Sequence, residues 1–209
     1  MNIVICASGP EAELYIPAAD YYIGVDRGAW TLLSRGIVAN EMVGDFDSVS
    51  EEQFERLSAQ IEKVERVSSI KDETDTDLAL LKAVALNPEV IYVTCVTGGR
   101  LDHQEAAIRS VRRFQVLHPE IAIYIVNQQN TIRFLTAGTH MLKKDHYQYV
   151  SFFAADEPIK AVTLKGVKYE TNAIPLPYDC TLFTSNEIIA EDASITLSNG
   201  ICLMIKSND

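Results

Sequence analysis

Val90-Ile91-Tyr92-Val93-Thr94-Cys95-Val96-Thr97-Gly98-Gly99-Arg100-Leu101-Asp102-His103 sets the reading of this chain. A β-branched, apolar run gives way to two glycines and then to a helical stretch, Leu101–Leu117, so the segment predicts a strand, a tight turn and a helix. The same unit recurs on both sides. Candidate strands are Asn2–Ala7, Tyr21–Val25, Asn40–Val43, Lys63–Val67, Val90–Val96 and Ile121–Val126. Candidate helices Gly28–Arg35, Glu51–Gln60, Asp75–Leu86 and Leu101–Leu117 lie between them. Strands alternating with helices are the signature of βαβ units around a parallel sheet.

Within Asp75–Leu86, Leu78, Leu81, Leu86 and the intervening alanines form an apolar face, Thr74 is the expected N-cap, and Pro88 stops the helix. After about Thr131 the helical period disappears. Runs such as Tyr147–Ala154, Ala161–Leu164, Thr181–Thr184 and Ile201–Ile205 alternate with Gly, Pro, Asn and Asp turns, which predicts an all-β part. With a boundary near Val126–Gly138, the expected fold is an N-terminal parallel-sheet α/β domain over residues 1–130, followed by a C-terminal all-β sandwich domain over residues 131–209.

Composition narrows the function classes. Hydrophobic residues make up 47% and charged residues 22% of the 209, which is ordinary for a globular protein. The net charge of −11 argues against a nucleic-acid or anionic-membrane surface, because such surfaces need clustered Lys and Arg. A polyphosphate bound to so acidic a chain needs local compensation by divalent cations, basic groups or backbone amides. Cys6, Cys95, Cys180 and Cys202 show no paired spacing and read as reduced core thiols. The chain opens on a strand-like run without a basic leader, and no stretch is apolar for the ~18 residues a membrane helix needs, so the cytoplasm is the expected location.

In a parallel α/β sheet, ligands bind beyond the carboxyl ends of the strands. Here those positions are acidic: Val25-Asp26-Arg27-Gly28, Gly44-Asp45-Phe46-Asp47-Ser48, Lys71-Asp72-Glu73-Thr74-Asp75 and Gly98-Gly99-Arg100-Leu101-Asp102-His103. Asp45 and Asp47, two apart, point the same way if the extended backbone persists, and two converging carboxylates suit Mg²⁺, which takes few protein ligands and keeps waters. A turn capped by the same residues is an equal alternative. Asp77 reads as half of a capping box with Thr74, whereas Asp75, four after Lys71, could join the Asp45/Asp47 pair. The Gly98-Gly99-Arg100 turn offers amides and a guanidinium to a phosphate, or is a plain glycine turn with Asp102 in the first turn of its helix. Neither a P-loop nor a dinucleotide fingerprint is present. His118, His140 and His146 lack metal-ligand spacing, and Trp30 is expected to pack its helix on the sheet.

Taken together and in order, the acidic turns at Asp45–Ser48 and Lys71–Asp75 and the turn at Gly98–His103 resemble the motif set of thiamine pyrophosphokinases. Gly24-Val25-Asp26-Arg27-Gly28-Ala29 is similar to an earlier Asp-containing turn of that family, and Gly166, Tyr169 and Ser185-Asn186-Glu187 are similar to its C-terminal signature. The resemblance implies a homodimeric enzyme that moves a diphosphoryl group from ATP onto the hydroxyl of thiamine. Carried over by position, it implies Mg²⁺ on Asp45, Asp47 and Asp75. It likewise implies triphosphate contacts from Lys71 and Arg100, nucleotide contacts from Asp26 and Thr74, and thiamine contacts from Asp102, Ser185 and Asn186, with Asp102 as base or orienter of the hydroxyl. The chain departs from the pattern at Glu105, Ala107 and Glu170-Thr171. Two rival readings share this pattern: a pyrophosphokinase for another heterocyclic alcohol such as a pterin, and a non-catalytic thiamine- or nucleotide-binding sensor.

Overall fold

The structure, a computed structural model, describes residues 1–68 and 73–209, arranged as two compact units, Met1–Gln128 and Gln129–Asp209. The first unit contains β1 (Asn2–Cys6), β2 (Tyr21–Val25), α1 (Arg27–Ser34), β3 (Glu41–Gly44), α2 (Glu51–Ser58), β4 (Lys63–Arg66), α3 (Asp75–Ala85), β5 (Val90–Thr94), α4 (Leu101–Leu117) and β6 (Ala122–Val126). Every pairing among its strands is parallel, in the order β6-β5-β1-β2-β3-β4. Parallel pairing brings all six carboxyl ends to one edge. The strand order reverses between β1 and β5, and that switch point is where an open α/β sheet forms its ligand crevice.

The central strands read as unbroken apolar runs because both their faces are covered. Ile3, Val4, Ile5 and Cys6 of β1 and Ile91 and Val93 of β5 are fully buried. The edge strand β4 is exposed along its whole length, and its Lys63, Glu65 and Arg66 keep that edge from pairing further. Lys82 of α3 bridges Glu41 on β3 and Glu65 on β4, fastening the helix to this side of the sheet.

Helix α3 begins as the sequence predicts. The Thr74 hydroxyl accepts the Asp77 N–H at 3.1 Å, and the Asp77 carboxylate accepts the Thr74 N–H at 3.3 Å. Asp77 also accepts from Arg113 of α4 at 2.9 Å, so it joins two helices. The buried face differs from the expected one. Ala79, Leu80, Ala83 and Val84 face inward, while Leu81 and Leu86 are exposed. Apolar residues nearly encircle this helix, so spacing alone does not select the face.

The second unit contains β7 (Asn130–Met141), β8 (Tyr149–Ala154), β9 (Ile159–Lys165), β10 (Thr171–Leu176) and β11 (Ser194–Ser207), paired antiparallel. Strand β7 runs along β11 from end to end. On the other side of β11, Ser194–Leu197 pairs with β9 and Cys202–Ser207 pairs with β8. The change of partner coincides with a register shift between Leu197 and Ile201. Gly138, at φ 129°, sits opposite Leu197 inside β7. That glycine and Asn130 are turn signals in the sequence, which is why β7 escapes a reading by composition. Thr181–Thr184, expected as a strand, is a turn instead: the Thr184 N–H and hydroxyl both bond to the Thr181 carbonyl, at 3.2 and 2.6 Å, and Phe183 is buried beneath it. All four cysteines are free thiols, and Cys6, Cys95 and Cys202 are buried.

Asp77→Ala removes the cap and the Arg113 contact together, and it should lower stability by about 1–2 kcal/mol, the usual worth of an N-cap. Thermal melting of the variant beside the wild type measures it, and an unchanged midpoint contradicts the assignment.

Candidate active site

The carboxyl edge of the first unit's sheet carries backbone that side chains seldom adopt. Asp26, Phe46 and Cys95 have φ of 47°, 59° and 59°, and each follows the end of a parallel strand, β2, β3 and β5. Each such residue costs on the order of 1–3 kcal/mol, and strain of this kind concentrates where function requires it.

Asp26 is the centre of the arrangement. Its N–H donates to the Val43 carbonyl at 3.0 Å, and its carboxylate accepts the Phe46 N–H at 3.1 Å. A Cβ on Gly44 would fall 1.8 Å from the Asp26 Oδ1, so the glycine is there because this carboxylate fills the space beside it. Asp45 in turn accepts the Asp47 N–H at 3.0 Å. Of the two alternatives the structure displays the capped turn: Phe46, at φ 59°, breaks the extended backbone on which a common direction for Asp45 and Asp47 depends. Asp45 and Asp75 are half-buried and Asp47 is exposed.

The charges of these acids reach Asp26. Burial pushes its carboxyl up to about 6, the Phe46 N–H opposes that rise, and the negative charges of Asp75, Asp45 and Asp47 add to it. Asp26, Asp45, Asp47 and Asp75 thus share one electrostatic neighbourhood. Among the described residues no group of three or more His, Cys, Asp or Glu is placed to hold a metal ion together. Carboxylate oxygen is the donor type that Mg²⁺ takes, one or two at a time, with water and substrate phosphates completing its coordination. Imidazole and thiolate donors, which zinc prefers, are not part of the set.

Thr74 is exposed, with its hydroxyl engaged in the α3 cap, and Lys71 lies outside the described residues. Arg100 and Asp102 meet each other in a two-pronged pair, Nε to Oδ1 at 3.1 Å and a terminal nitrogen to Oδ2 at 2.6 Å. Arg100 holds the Asp102 carboxyl down to about 2. The Gly98 N–H donates to the Gln104 side chain at 3.3 Å, a long contact that a stronger acceptor can replace.

In the second unit, Ser185 is exposed, with φ of 55° and its N–H on the Ser151 hydroxyl at 2.9 Å. Asn186 is 3% exposed and its side chain is spent internally: Oδ1 accepts the N–H groups of Tyr169 and Glu187, at 3.0 and 2.9 Å, and Nδ2 donates to the Tyr169 carbonyl at 2.9 Å. Asn186 therefore fixes the backbone of Tyr169, whose ring is exposed, and the two pieces of the C-terminal signature are one hydrogen-bonded unit. The departures from the family pattern are absorbed locally. Glu105 pairs with Arg109, Ala107 is buried, Glu170 accepts the Gly166 N–H, and Thr171 bonds across to β9.

Sequence reasoning passed over the segment after β1. Glu11 accepts from Thr31 of α1 and from Arg35 just after it, at 2.9 and 2.8 Å, and Glu13 accepts from Asn127 at 3.1 Å. The strand-end rule that found the acidic turns also points to Ser8 after β1 and Asn127 after β6.

Because the fold raises the Asp26 carboxyl above its ordinary 3.8 to about 6, the fold favours its protonated form. Its contribution to stability is complete below about pH 4 and is lost as pH rises through 6. In metal-free protein, Asp26→Asn, which mimics the protonated acid, should melt above the wild type at pH 8 and together with it near pH 4. A difference that does not change with pH contradicts this.

Comparison with known proteins identifies the family. A model described as "Thiamin pyrophosphokinase, catalytic domain" matches residues 12–125, and one described as "Thiamin pyrophosphokinase, vitamin B1 binding domain" matches residues 139–202. A thiamine pyrophosphokinase of Bacillus subtilis (strain 168) is 34% identical over 214 residues, spanning 100% of this chain and 99% of the relative. The crystal structure of thiamine pyrophosphokinase from Bacillus subtilis superposes with a TM-score of 0.91 at 34% identity, covering 100% of both chains. That from Geobacillus thermodenitrificans gives 0.90 at 33%, covering 100% of this chain and 98% of the other. A Candida albicans structure at 17% identity and TM-score 0.82, covering 99% and 89%, shares the fold. Matches that run nearly the length of the chain, at more than 30% identity and with both domains in order, establish that it belongs to the thiamine pyrophosphokinase family.

Proposed function

We propose that this protein transfers the β,γ-diphosphoryl group of ATP to the hydroxyl of thiamine, giving thiamine diphosphate and AMP. Family membership supports the reaction. The observation that supports the site is geometric: Asp26 fills the space beside Gly44 and accepts the Phe46 N–H, which holds the loop of Asp45 and Asp47 at the carboxyl edge of the sheet. A chain of net charge −11 repels a triphosphate unless cations intervene, and the acids supply the ligands for them.

In this reading Asp45, Asp47 and Asp75 hold Mg²⁺. The metal supplies charge neutralisation on the phosphate oxygens, which is the main demand of phosphoryl chemistry. Asp26 keeps the Asp45–Asp47 loop in place through the Phe46 N–H. Arg100 and Lys71 receive the triphosphate with the amides of the Gly98-Gly99 turn, and Thr74 borders the nucleotide. Arg100 exchanges its contact with Asp102 for phosphate as ATP arrives, which frees Asp102 to orient the thiamine hydroxyl. In the second unit, read as a β-sandwich domain, Ser185 contacts the thiamine ring and Asn186 positions the wall beside it. The working form is a homodimer in the cytoplasm.

Asp45→Asn, Asp47→Asn and Asp75→Asn should each lower kcat/KM by ~10²-fold, the scale of one lost electrostatic stabiliser, without lowering the melting temperature. Excess EDTA should stop turnover; full activity in EDTA contradicts the metal assignment. AMP release from ATP should require thiamine and should not be supported by a pterin alcohol. The reverse result would overturn the acceptor.

A further inference from the structure

The switch point between β1 and β5 is held by a cluster that the reaction scheme above does not use. Asn127, first after β6 and 5% exposed, donates from Nδ2 to the Glu13 carboxylate at 3.1 Å and to the Thr97 hydroxyl at 2.9 Å. One amide thereby joins the segment after β1 to the segment after β5. Next to it, the Gln128 N–H donates to the Glu13 carbonyl at 3.0 Å, and its side chain reaches the Leu14 carbonyl at 3.3 Å.

From the other side, the segment after β1 is laced along the same stretch. The Ala7 and Gly9 N–H groups donate to the carbonyls of Thr94 and Cys95, at 3.0 and 2.8 Å, and the Thr94 hydroxyl donates to the Tyr15 carbonyl at 2.8 Å. The approach is close enough to demand glycine. A Cβ on Gly9 would fall 2.2 Å from the Cys95 carbonyl oxygen, and one on Gly99 would fall 2.9 Å from the Pro10 ring. The Gly98-Gly99 turn is thus backed by Pro10 and flanked by Glu13, whose Oε2 is the nearest atom, at 3.9 Å, to where a Gly98 Cβ would stand.

We propose that Asn127 is a positioning residue for ATP. It fixes Thr97 at the root of the Gly98-Gly99-Arg100 turn, and it keeps the Glu13 carboxylate, which stands beside that turn, engaged by an amide rather than free to take the N–H groups that receive phosphate. The proposal rests on the reading of that turn as the triphosphate's seat. The reason for an amide here is charge. A carboxylate left free beside exposed N–H groups becomes their acceptor and competes with the incoming anion, while also repelling it. A lysine in Asn127's place would pair with Glu13 but would offer no fixed geometry to Thr97.

The test is calorimetric titration of ATP with Mg²⁺ in the absence of thiamine, so that binding is read without turnover. Asn127→Ala should raise the Kd for ATP about tenfold, the scale of one lost hydrogen bond to a charged group, while the KM for thiamine at saturating ATP changes less than twofold. Adding Glu13→Gln to Asn127→Ala should recover much of the ATP affinity, since the neutral side chain no longer repels phosphate. A merely structural residue would lower the melting temperature and the active fraction with both affinities unchanged, and that outcome overturns the proposal, as does failure of Glu13→Gln to rescue. Should Asn127→Ala not fold, Thr97→Val, which removes only the hydroxyl acceptor, must weaken ATP binding in the same selective way. Arg100→Ala separates the two levels: if it weakens ATP binding and Asn127→Ala does not, the positioning role alone fails. If neither does, the phosphate seat lies elsewhere and the proposal falls with it.

Discussion

A carboxylate stands where a side chain on Gly44 would be, and the candidate site depends on it. Asp26 crosses from the end of β2 to the end of β3, accepts the Phe46 N–H, and so sets the path of the loop that bears Asp45 and Asp47. The left-handed backbone at Asp26 and Phe46 is the strain this crossing entails. The electrostatic consequence follows from the same geometry. Burial disfavours the ionised form of Asp26, and the charges of Asp75, Asp45 and Asp47 add to that, a repulsion that a cation would relieve. In the proposed reading a metal here would offset the protein's own charge and that of the substrate's phosphates together.

Parallel pairing explains why such a concentration can exist at all. Six parallel strands deliver their carboxyl ends to one edge. The helices meet the same constraint from behind, with Gly24 and Gly28 permitting α1 to lie against β1 and β2. A Cβ on Gly28 would fall 1.9 Å from the Cys6 carbonyl oxygen. In the second unit the corresponding device is the Asn186 side chain, which carries out with three hydrogen bonds what a strand ladder does elsewhere, fixing Tyr169 beside the Ser185 turn.

Much of this was legible in the sequence, and the exceptions have physical causes. The strands and helices of the first unit declare themselves because strands covered on both faces must be apolar throughout, as in β1 and β5. The acidic turns follow from the rule that ligands gather at strand ends. In the second unit, β7 is disguised by Asn130 at its start and by Gly138, which lies at the register shift with its partner β11. Thr181–Thr184 has the composition of a strand but closes on itself through threonine hydroxyl and backbone bonds. Asn186 was legible as important but not in its role, because a pattern of residue types does not tell a side chain that meets a ligand from one that holds a neighbour. Asn127 and Glu13 were missed because their significance lies in a contact across 114 residues of chain.

The central claim is that four carboxylates share one field at the edge of the sheet and that a divalent cation belongs there. It is tested most directly by following the side-chain carboxyl carbon of Asp26 by NMR through a pH titration of metal-free protein, then repeating the titration with Mg²⁺. The account predicts a midpoint near 6 without metal and a clear fall when Mg²⁺ is added. A midpoint at the ordinary value of 3.8, indifferent to Mg²⁺, would contradict it.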